Sequence, residues 1–533
     1  MRSGSLAFFL VGFGWMFGVA RGGGWFGGSL FARSGIGDDA TSWTYTFWIF
    51  QTVFAATAAT IVSRAMAERT RLVGYLCYST GLTYQHNRKE LRYKTMDAPQ
   101  PQRRRKTGWK LSLVASLMAA ASPALAQGGA TAINHGDTAW VLVSAALVFL
   151  MTPGLAFFYG GLVRSKNVLG TMMHCLAAMG IGSVVWVVAG YTLAFGTDAG
   201  GVIGGLEYLF LNKVGMAPTE GSTIPHLAFS SFQGMFAIIT PALIAGAVAE
   251  RMKFSAFFWF ITAWVMLVYA PLAHWVWGGG WLMEMGALDF AGGTVVHISS
   301  GISALVACLV IGRRRGFPRE PILPHNLTYV ILGGGLLWFG WFGFNAGSAL
   351  AANGLAANAL VTTNTSAAAG ALGWLLYDWL KFGKPTALGT VSGAVAGLVG
   401  ITPAAGFVAP WAALAIGVLA GLGCATFVGW RTRRGIDDSL DAFGVHGIGG
   451  TIGAILTGVF ALEAIGGTKG LIEGNIGIMG IQVIGVVATY VYAAVVSLVI
   501  LLVLRSVTGL RIGEDDEMIG LDQTQHGETG YSL

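Results

Sequence analysis

Charged residues are scarce in this chain of 533 residues. Asp, Glu, Lys and Arg make up 11% of it, against roughly 25% in soluble domains, while hydrophobic residues make up 54%. This composition argues against a water-soluble enzyme, and the high apolar content excludes a disordered chain. The net charge of +7 does not indicate nucleic-acid binding, because the basic residues lie in short clusters between apolar segments.

Cysteine is also scarce. Three of the four cysteines lie in long apolar runs, so a disulfide scaffold is excluded. Glycine, by contrast, is abundant at 80 residues, and small residues inside apolar runs allow membrane helices to pack closely. Together these features predict an all-α polytopic membrane protein.

Residues 96–126 have the order of a secretory signal peptide. A basic stretch at 103–110 precedes an apolar run at 111–121, and the Ala-Leu-Ala sequence at 124–126 forms a cleavage site before Gln127. The alternative is that this stretch is a first membrane helix. The short length of the apolar run and the small residues at its end argue against it.

Residues 1–95 precede this signal, so either the true start lies at Met96 or the stretch is a fused remnant. The sequence FQTVF at 50–54 returns as FQGMF at 232–236. This repeat favours the second interpretation, a partial copy of the main domain.

Eleven apolar segments of membrane-spanning length follow the predicted cleavage site. They lie near 137–161, 168–196, 228–249, 254–277, 290–312, 327–347, 356–380, 386–403, 410–430, 443–462 and 479–505. We therefore predict a membrane domain over 127–506 and a tail over 507–533.

Basic residues in the loops predict the orientation. Those on one side are Arg164, Lys166, Arg251, Lys253, Arg313, Arg314, Arg315, Arg319, Lys381, Lys384, Arg431, Arg433, Arg434, Arg505 and Arg511. The other side has Lys213 and Lys469. Because cytoplasmic loops carry an excess of Lys and Arg, we expect the mature N-terminus outside and the C-terminus in the cytoplasm.

Eleven spans divide into five, five and one. The fifth segment opens with Asp289 and carries His297, and the tenth opens after Asp441 and carries His446. An odd number of spans per half places the halves in opposite orientation, which is the pattern of an inverted repeat with its site at the midplane. A transporter or channel follows from this more readily than an enzyme.

His297 and His446 lie inside apolar segments. Ionisable groups in a bilayer are costly and usually functional, so two at corresponding places favour a function over structural histidines bonded to carbonyls. Facing neutral imidazoles can share or relay a proton, because each has one donor and one acceptor nitrogen. No third ligand lies at metal-binding spacing, so no metal site is expected.

Aromatic residues form a second pattern. Phe232 and Phe236 lie four apart, and Trp277 ends the fourth segment on the outer side. One face of the sixth segment carries Trp341, Phe344, Asn345 and Ser348. Ring faces attract cations, although lipid packing or an interfacial belt is the alternative for any single ring.

Aspartates lie at helix starts, where N-capping is the simplest interpretation; they are Asp289, Asp437, Asp438 and Asp441. For Asp289 the alternative is a charge that favours a cation outside the pore. The mid-helix stretches carry no evident carboxylate, so a permanent cation such as potassium would cross unneutralised at high cost. Ammonium can instead lose a proton and cross as a neutral molecule.

The chain over 127–526 resembles the Amt/Mep/Rh family of ammonium transporters. The strongest blocks are ALDFAGGTVVH at 287–297 and DAFGVHG at 441–447. Further blocks lie at 152–161, 232–236, 246–251, 273–280, 340–348 and 400–404. The combination of Trp277 with both histidines is similar to the bacterial Amt branch.

The resemblance implies a role for each matching residue. For the outer ammonium site it implies Trp277, Phe236, Ser348, Phe232 and Asp289. For the pore gate it implies Phe236 and Phe344, for the proton relay His297 and His446, and for structural positions Asp441, Trp341 and Thr402. It also implies a homotrimer in the bacterial inner membrane, without a cofactor, that imports ammonium for nitrogen assimilation, accepts methylammonium and is closed by a P-II-type signalling protein.

Three alternatives stay open at this point. A passive ammonia or gas channel of Rh type is disfavoured by Trp277 and Ser348. An ammonium sensor is disfavoured because only a short tail follows the last segment. An intramembrane hydrolase is disfavoured because no Ser–His–Asp or His–Glu constellation lies at a plausible depth.

We predict that the mature protein begins at Gln127, because signal peptidase cleaves after small residues that follow an apolar run. N-terminal peptide mapping of the membrane-inserted protein checks this. Peptides from residues 1–95 joined through to residue 127 would contradict it.

Overall fold

A computed structural model of the chain describes residues 133–531. The predicted signal peptide and the stretch 1–95 lie outside the described residues, so both stay predictions.

The described residues are mainly helical. The helices are α1 (His135–Leu162), α2 (Val168–Val185), α3 (Tyr191–Phe195), α4 (His226–Val248), α5 (Phe254–Trp264), α6 (Ala270–Trp277), α7 (Trp281–Glu284), α8 (Ser299–Ile311), α9 (Leu327–Gly347), α10 (Gly354–Phe382), α11 (Ala387–Ile401), α12 (Pro410–Arg433), α13 (Ile448–Phe460), α14 (Glu463–Gly466), α15 (Gly477–Val507), α16 (Glu514–Ile519) and α17 (Leu521–His526). Strands β1 (Asp198–Ala199) and β2 (Ile203–Gly204) form an antiparallel pair with Asp198 opposite Gly204.

Shorter helical segments complete or join these helices. Four are π-helical: Trp186–Gly190, Val265–Tyr269, Gly293–Ile298 and Phe443–Gly447. Three are 3-10 turns: Ser165–Asn167, Leu209–Leu211 and Leu471–Glu473.

Nine helices or joined helices among residues 133–531 are long and apolar enough to cross a membrane. They are His135–Leu162, Ser165–Phe195, His226–Val248, Phe254–Glu284, Gly293–Ile311, Leu327–Gly347, Pro410–Arg433, Phe443–Phe460 and Gly477–Val507. The apolar helix α11 is shorter. The all-α polytopic class is thus confirmed, whereas the count of eleven spans stays a prediction.

Helix α10 matches a predicted span but is not among the nine, because its middle is rich in polar residues. Buried polar residues there are Asn358, Thr362, Thr363, Asn364, Thr365 and Ser366. The amide of Asn358 donates to the carbonyls of Ala405 and Val408, and the hydroxyl of Ser366 donates to the carbonyl of Gly397. Such bonds inside the bundle allow a polar helix to be buried.

Helices α8 and α13 belong to opposite halves and begin in the same way. Each follows a π-helical segment that carries a histidine, and each histidine lies eight residues after a buried aspartate. Asp289 accepts backbone N–H bonds from Gly292, Gly293 and Thr294 at 2.7, 2.6 and 2.7 Å. This shared construction supports the inverted repeat.

Asp438, rather than Asp441, is the counterpart of Asp289. Its carboxylate accepts backbone N–H bonds from Ala442, Phe443 and Gly444 at 3.0, 2.9 and 3.2 Å. The tenth segment opens after Asp441, as predicted, but the aspartate that caps it lies three residues earlier.

Asp441 and Asp437 pair with arginines and do not cap through their side chains. The Asp441 carboxylate binds Arg431, and that of Asp437 binds Arg314. An arginine within reach outcompetes a cap because its planar fork can form two charge-assisted bonds to one carboxylate.

Glycines bring helix backbones into direct contact. A Cβ on Gly301 would lie 2.3 Å from the backbone N of Gly447, so no side chain fits where the two halves meet. Likewise, a Cβ on Gly421 would lie 2.6 Å from the carbonyl oxygen of Gly370, where α10 meets α12. These approaches explain part of the high glycine content.

Candidate functional site

A cluster of rings begins at the C-terminal end of α6. The indole N–H of Trp277 donates to the carbonyl of Asp289 at 2.9 Å, which holds this half-buried ring in place. Its centroid lies 6.1 Å from that of Phe236, with the rings nearly perpendicular at 78°. We call this region the Trp277 end.

Phe236 and Phe344 form the next layer. Both rings are almost fully buried and their centroids lie 4.3 Å apart. Phe232 packs against Phe236 at 5.0 Å, and the Ser348 hydroxyl donates to the carbonyl of Phe344 at 2.8 Å. These two rings, tilted by 42° to one another, therefore close the interior beneath Trp277.

The two histidines meet below these rings. Their Nδ1 atoms lie 3.2 Å apart, and the imidazoles are nearly parallel, with 20° between planes and 5.3 Å between centroids. His297 also stacks near Phe344 at 6.0 Å. The pair continues the line of rings from Trp277.

Trp341 and Thr402 hold His297 from the side. The Trp341 indole lies 5.4 Å from the imidazole and nearly parallel to it. Its N–H donates to the Thr402 hydroxyl at 2.9 Å, and the same hydroxyl lies 3.3 Å from Nε2 of His297. Both residues were expected to be structural, and both contact His297 directly.

A cavity of about 530 Å³ opens beyond the histidines. It begins at Phe344, Trp341 and His446 and extends to Arg314 and Asp378. We call this region the Arg314 end. Among residues 133–531, no three His, Cys, Asp or Glu side chains lie close enough to hold a metal ion.

A buried ion network surrounds the Arg314 end. Glu250 accepts bonds from the backbone N–H of Arg164 at 2.8 Å, from the Asn167 amide at 3.0 Å and from the Arg314 guanidinium at 3.1 Å. Arg314 also donates to both oxygens of Asp437, from Nη2 to Oδ1 and from Nε to Oδ2. Burial alone raises the pKa of Glu250, but the charges of Arg314 and Arg164 more than offset this and hold the pKa below its usual value.

The C-terminal tail joins this network. The Asn167 side chain, which donates to Glu250, accepts the backbone N–H of Leu521 at 2.8 Å. The Glu517 carboxylate accepts the backbone N–H of Arg315 at 2.7 Å. The tail therefore binds to the loops at the Arg314 end.

The structure brings most of the predicted site residues into one line. Trp277, Phe236, Phe344, His297 and His446 follow one another in contact, whereas Ser348 joins through the Phe344 backbone. Phe232 lies fully buried behind Phe236. The Asp289 carboxylate is occupied by backbone N–H groups and holds the site from behind.

Sequence reasoning assigned no role to several residues of the cavity. Tyr159, Trp374 and Asp378 line it. The spacing of Trp374 and Asp378, four apart on one helix face, was an available signal. The equal spacing from Asp289 and Asp438 to their histidines was another.

Comparisons with known proteins agree with this architecture. A sequence model described as the Ammonium Transporter Family matches residues 1–86 and 139–531. The ammonium transporter of Bacillus subtilis (strain 168) is 52% identical over 403 residues, which are 75% of this chain and 99% of that protein. The crystal structure of Saccharomyces cerevisiae Mep2 gives a TM-score of 0.69 at 38% identity, over 72% of this chain and 89% of that one. A structure of a Sensor Amt Protein gives 0.69 at 30% identity, over 73% and 98%.

The fold and the site define a multi-pass helical membrane protein with a line of aromatic and imidazole rings through its interior. The chain belongs to the Ammonium Transporter Family. The match at residues 1–86 lies outside the described part of the chain, and the partial copy stays a prediction.

We predict that Glu250→Gln destabilises the protein by on the order of 3 kcal/mol at neutral pH, because it leaves buried arginine charge without its partner. Since the native pKa of Glu250 is depressed, its stabilisation is complete above the ordinary Glu pKa of about 4.3 and is lost as pH falls through the native value. The difference from the wild type should therefore shrink below pH ~4.

Thermal unfolding of the detergent-solubilised protein across this pH range measures the effect. Glu463→Gln is the matched control, because Glu463 pairs with Lys469 on the surface and such pairs contribute little. Equal losses in the two variants, or a Glu250→Gln loss that does not change with pH, would show that the buried network does not stabilise the fold.

Proposed function

We propose that this protein transports ammonium by separating it into ammonia and a proton, with His297 and His446 on the proton path. One observation carries the proposal: the rings of Trp277, Phe236 and Phe344 lead without interruption to the paired imidazoles, and the cavity begins there. The names of the relatives supply the substrate.

The Trp277 end is suited to hold a cation. Ring faces attract cations by about 0.5–2 kcal/mol, more when water is excluded. Trp277 is half-buried, and the bond from its indole N–H to the Asp289 carbonyl fixes the ring, whose face we assign to ammonium. We infer that ammonium is held there before it meets the closed phenylalanine pair.

The next layer excludes ions. Phe236 and Phe344 are buried and offer no charge, so a cation entering between them loses more hydration energy than the attraction of the ring faces, about 0.5–2 kcal/mol, can replace. Ammonium avoids this cost by releasing a proton, which leaves neutral ammonia to pass when the rings part. Potassium has no proton to release.

The proton then needs a polar path of its own. The hydrogen-bonded imidazoles provide one between the phenylalanine pair and the cavity, where ammonia and the proton recombine. We place the Arg314 end in the cytoplasm on the distribution of basic residues. The homotrimer, the P-II-type partner, the inner membrane location and the role in nitrogen assimilation stay predictions.

We expect Trp277→Leu to weaken the apparent affinity for methylammonium several-fold, because it removes a cation–π contact of about 1–2 kcal/mol. The concentration dependence of methylammonium uptake measures it. Trp259→Leu is the control, since Trp259 is exposed on α5. If the concentration dependence of uptake is unchanged in Trp277→Leu, Trp277 does not bind the cation.

We expect His297→Ala and His446→Ala to reduce ammonium-driven current in proteoliposomes at least tenfold, because each removes one half of the proton path. The fold should persist, since alanine is favourable in helices. His297→Glu should instead admit potassium, because it places a negative charge on the line of rings. His135→Ala, at an exposed position, is the control.

Current at the wild-type level in both alanine variants, together with continued exclusion of potassium by His297→Glu, would contradict the mechanism. The histidines would then be structural, and the Rh-type alternative of passive ammonia conduction would gain support.

A further inference from the structure

The hydroxyl of Thr402 contacts three polar groups, and their chemistry decides where its single proton goes. They are the Leu398 carbonyl at 2.8 Å, the Trp341 indole nitrogen at 2.9 Å and Nε2 of His297 at 3.3 Å. The indole N–H is a donor only and the carbonyl is an acceptor only. The hydroxyl therefore accepts from Trp341.

The Thr402 hydroxyl donates its proton to the Leu398 carbonyl. In a continuing helix this carbonyl would accept the backbone N–H of Thr402, but that N–H donates to Val399 at 3.2 Å instead. The next residue, Pro403, has no N–H. Buried carbonyls are nearly always bonded, and the hydroxyl at 2.8 Å supplies the donor.

The remaining lone pair of the hydroxyl faces His297. Because the hydroxyl has no second proton, the contact is a hydrogen bond only when Nε2 of His297 carries the hydrogen. In a neutral imidazole Nδ1 is then bare. His446 Nδ1, 3.2 Å away, must in turn carry a proton and donate it. This leaves Nε2 as the bare nitrogen of His446.

We infer that Thr402 is a positioning residue that fixes the tautomers of the histidine pair, with hydrogen on Nε2 of His297 and on Nδ1 of His446. Of the two bare nitrogens of the pair, Nδ1 of His297 accepts the bond from His446, which leaves Nε2 of His446, whose ring lines the cavity, to accept a further proton. The Nδ1–H of His446 then points toward His297, and the Nε2–H of His297 points toward Thr402. A proton from the cavity side meets the bare Nε2 of His446, whereas one from the Trp277 side meets the protonated Nε2 of His297 and finds an acceptor only after both imidazoles have exchanged tautomers.

Nitrogen NMR of ¹⁵N-histidine-labelled protein in liposomes tests the inference, because protonated and bare imidazole nitrogens resonate far apart. Signals are assigned by their loss in His297→Ala and His446→Ala. In the wild type we expect a protonated Nε2 and a bare Nδ1 for His297, and the reverse for His446. A protonated Nδ1 on His297 would overturn the inference.

Two variants of Thr402 separate the hydroxyl from the shape of the side chain. Thr402→Val keeps the shape without the hydroxyl, and we expect both tautomers of His297 in comparable amounts. Thr402→Ser keeps the hydroxyl and should restore the single tautomer. A single tautomer that persists unchanged in Thr402→Val would show that other groups fix it.

Trp341→Phe is a further control. It removes the donor to Thr402 but leaves the hydroxyl between Leu398 and His297, so the tautomers should not change. A change as large as in Thr402→Val would show that packing around His297, rather than the hydroxyl, sets them.

The consequence for transport rests on the proposed function. If the pair relays protons, Thr402→Val should alter the ratio of inward to outward ammonium-driven current at least twofold, and Thr402→Ser should not. An unchanged ratio would overturn the directional role of Thr402. Full current in His297→Ala would instead reject the relay itself, and the NMR result would be independent of it.

Discussion

Most polar groups enclosed in this bundle find their hydrogen-bond partners inside it, because neither lipid nor apolar side chains supply one. The buried ends of α8 and α13 meet this requirement with the carboxylates of Asp289 and Asp438, which accept the first backbone N–H groups. These caps hold the two π-helical segments whose histidines meet. The same requirement accounts for the polar middle of α10, where Asn358 satisfies two loop carbonyls.

Charge in the described residues is separated from this interior. The ion network of Glu250, Arg314 and Asp437 lies at one end of the bundle, where loops and tail interlock. Between it and Trp277 the pathway is bordered by rings and by groups that can be neutral. A buried network of this kind stabilises the fold only while every charge has its partner, because removal of one member leaves a buried charge unpaired. The ion network therefore lies at one end of the pathway, whereas the histidine pair between that end and Trp277 can remain neutral.

Much of this arrangement was predictable from sequence, and the limits are physical. Hydrophobic length located the nine spans that the described residues contain, and the paired histidines located the centre. Periodicity could place Trp341 on the stripe with Phe344, but it could not reveal that its indole bonds to Thr402, a residue on a different segment. The partner of Asp441 was missed for a related reason. Capping is a local property, whereas the competition of Arg431 for that carboxylate depends on how the chain turns between helices.

The contact of Gly301 with Gly447 has a consequence for biogenesis. These glycines come from opposite halves, and their backbones touch with no side chain between them that could repack. The spacing of the imidazoles is therefore fixed by how the halves dock during membrane insertion, and no rotamer change could correct an error. A displacement of one half against the other would therefore break the 3.2 Å contact between the imidazoles. A side chain in place of Gly301 would force such a displacement.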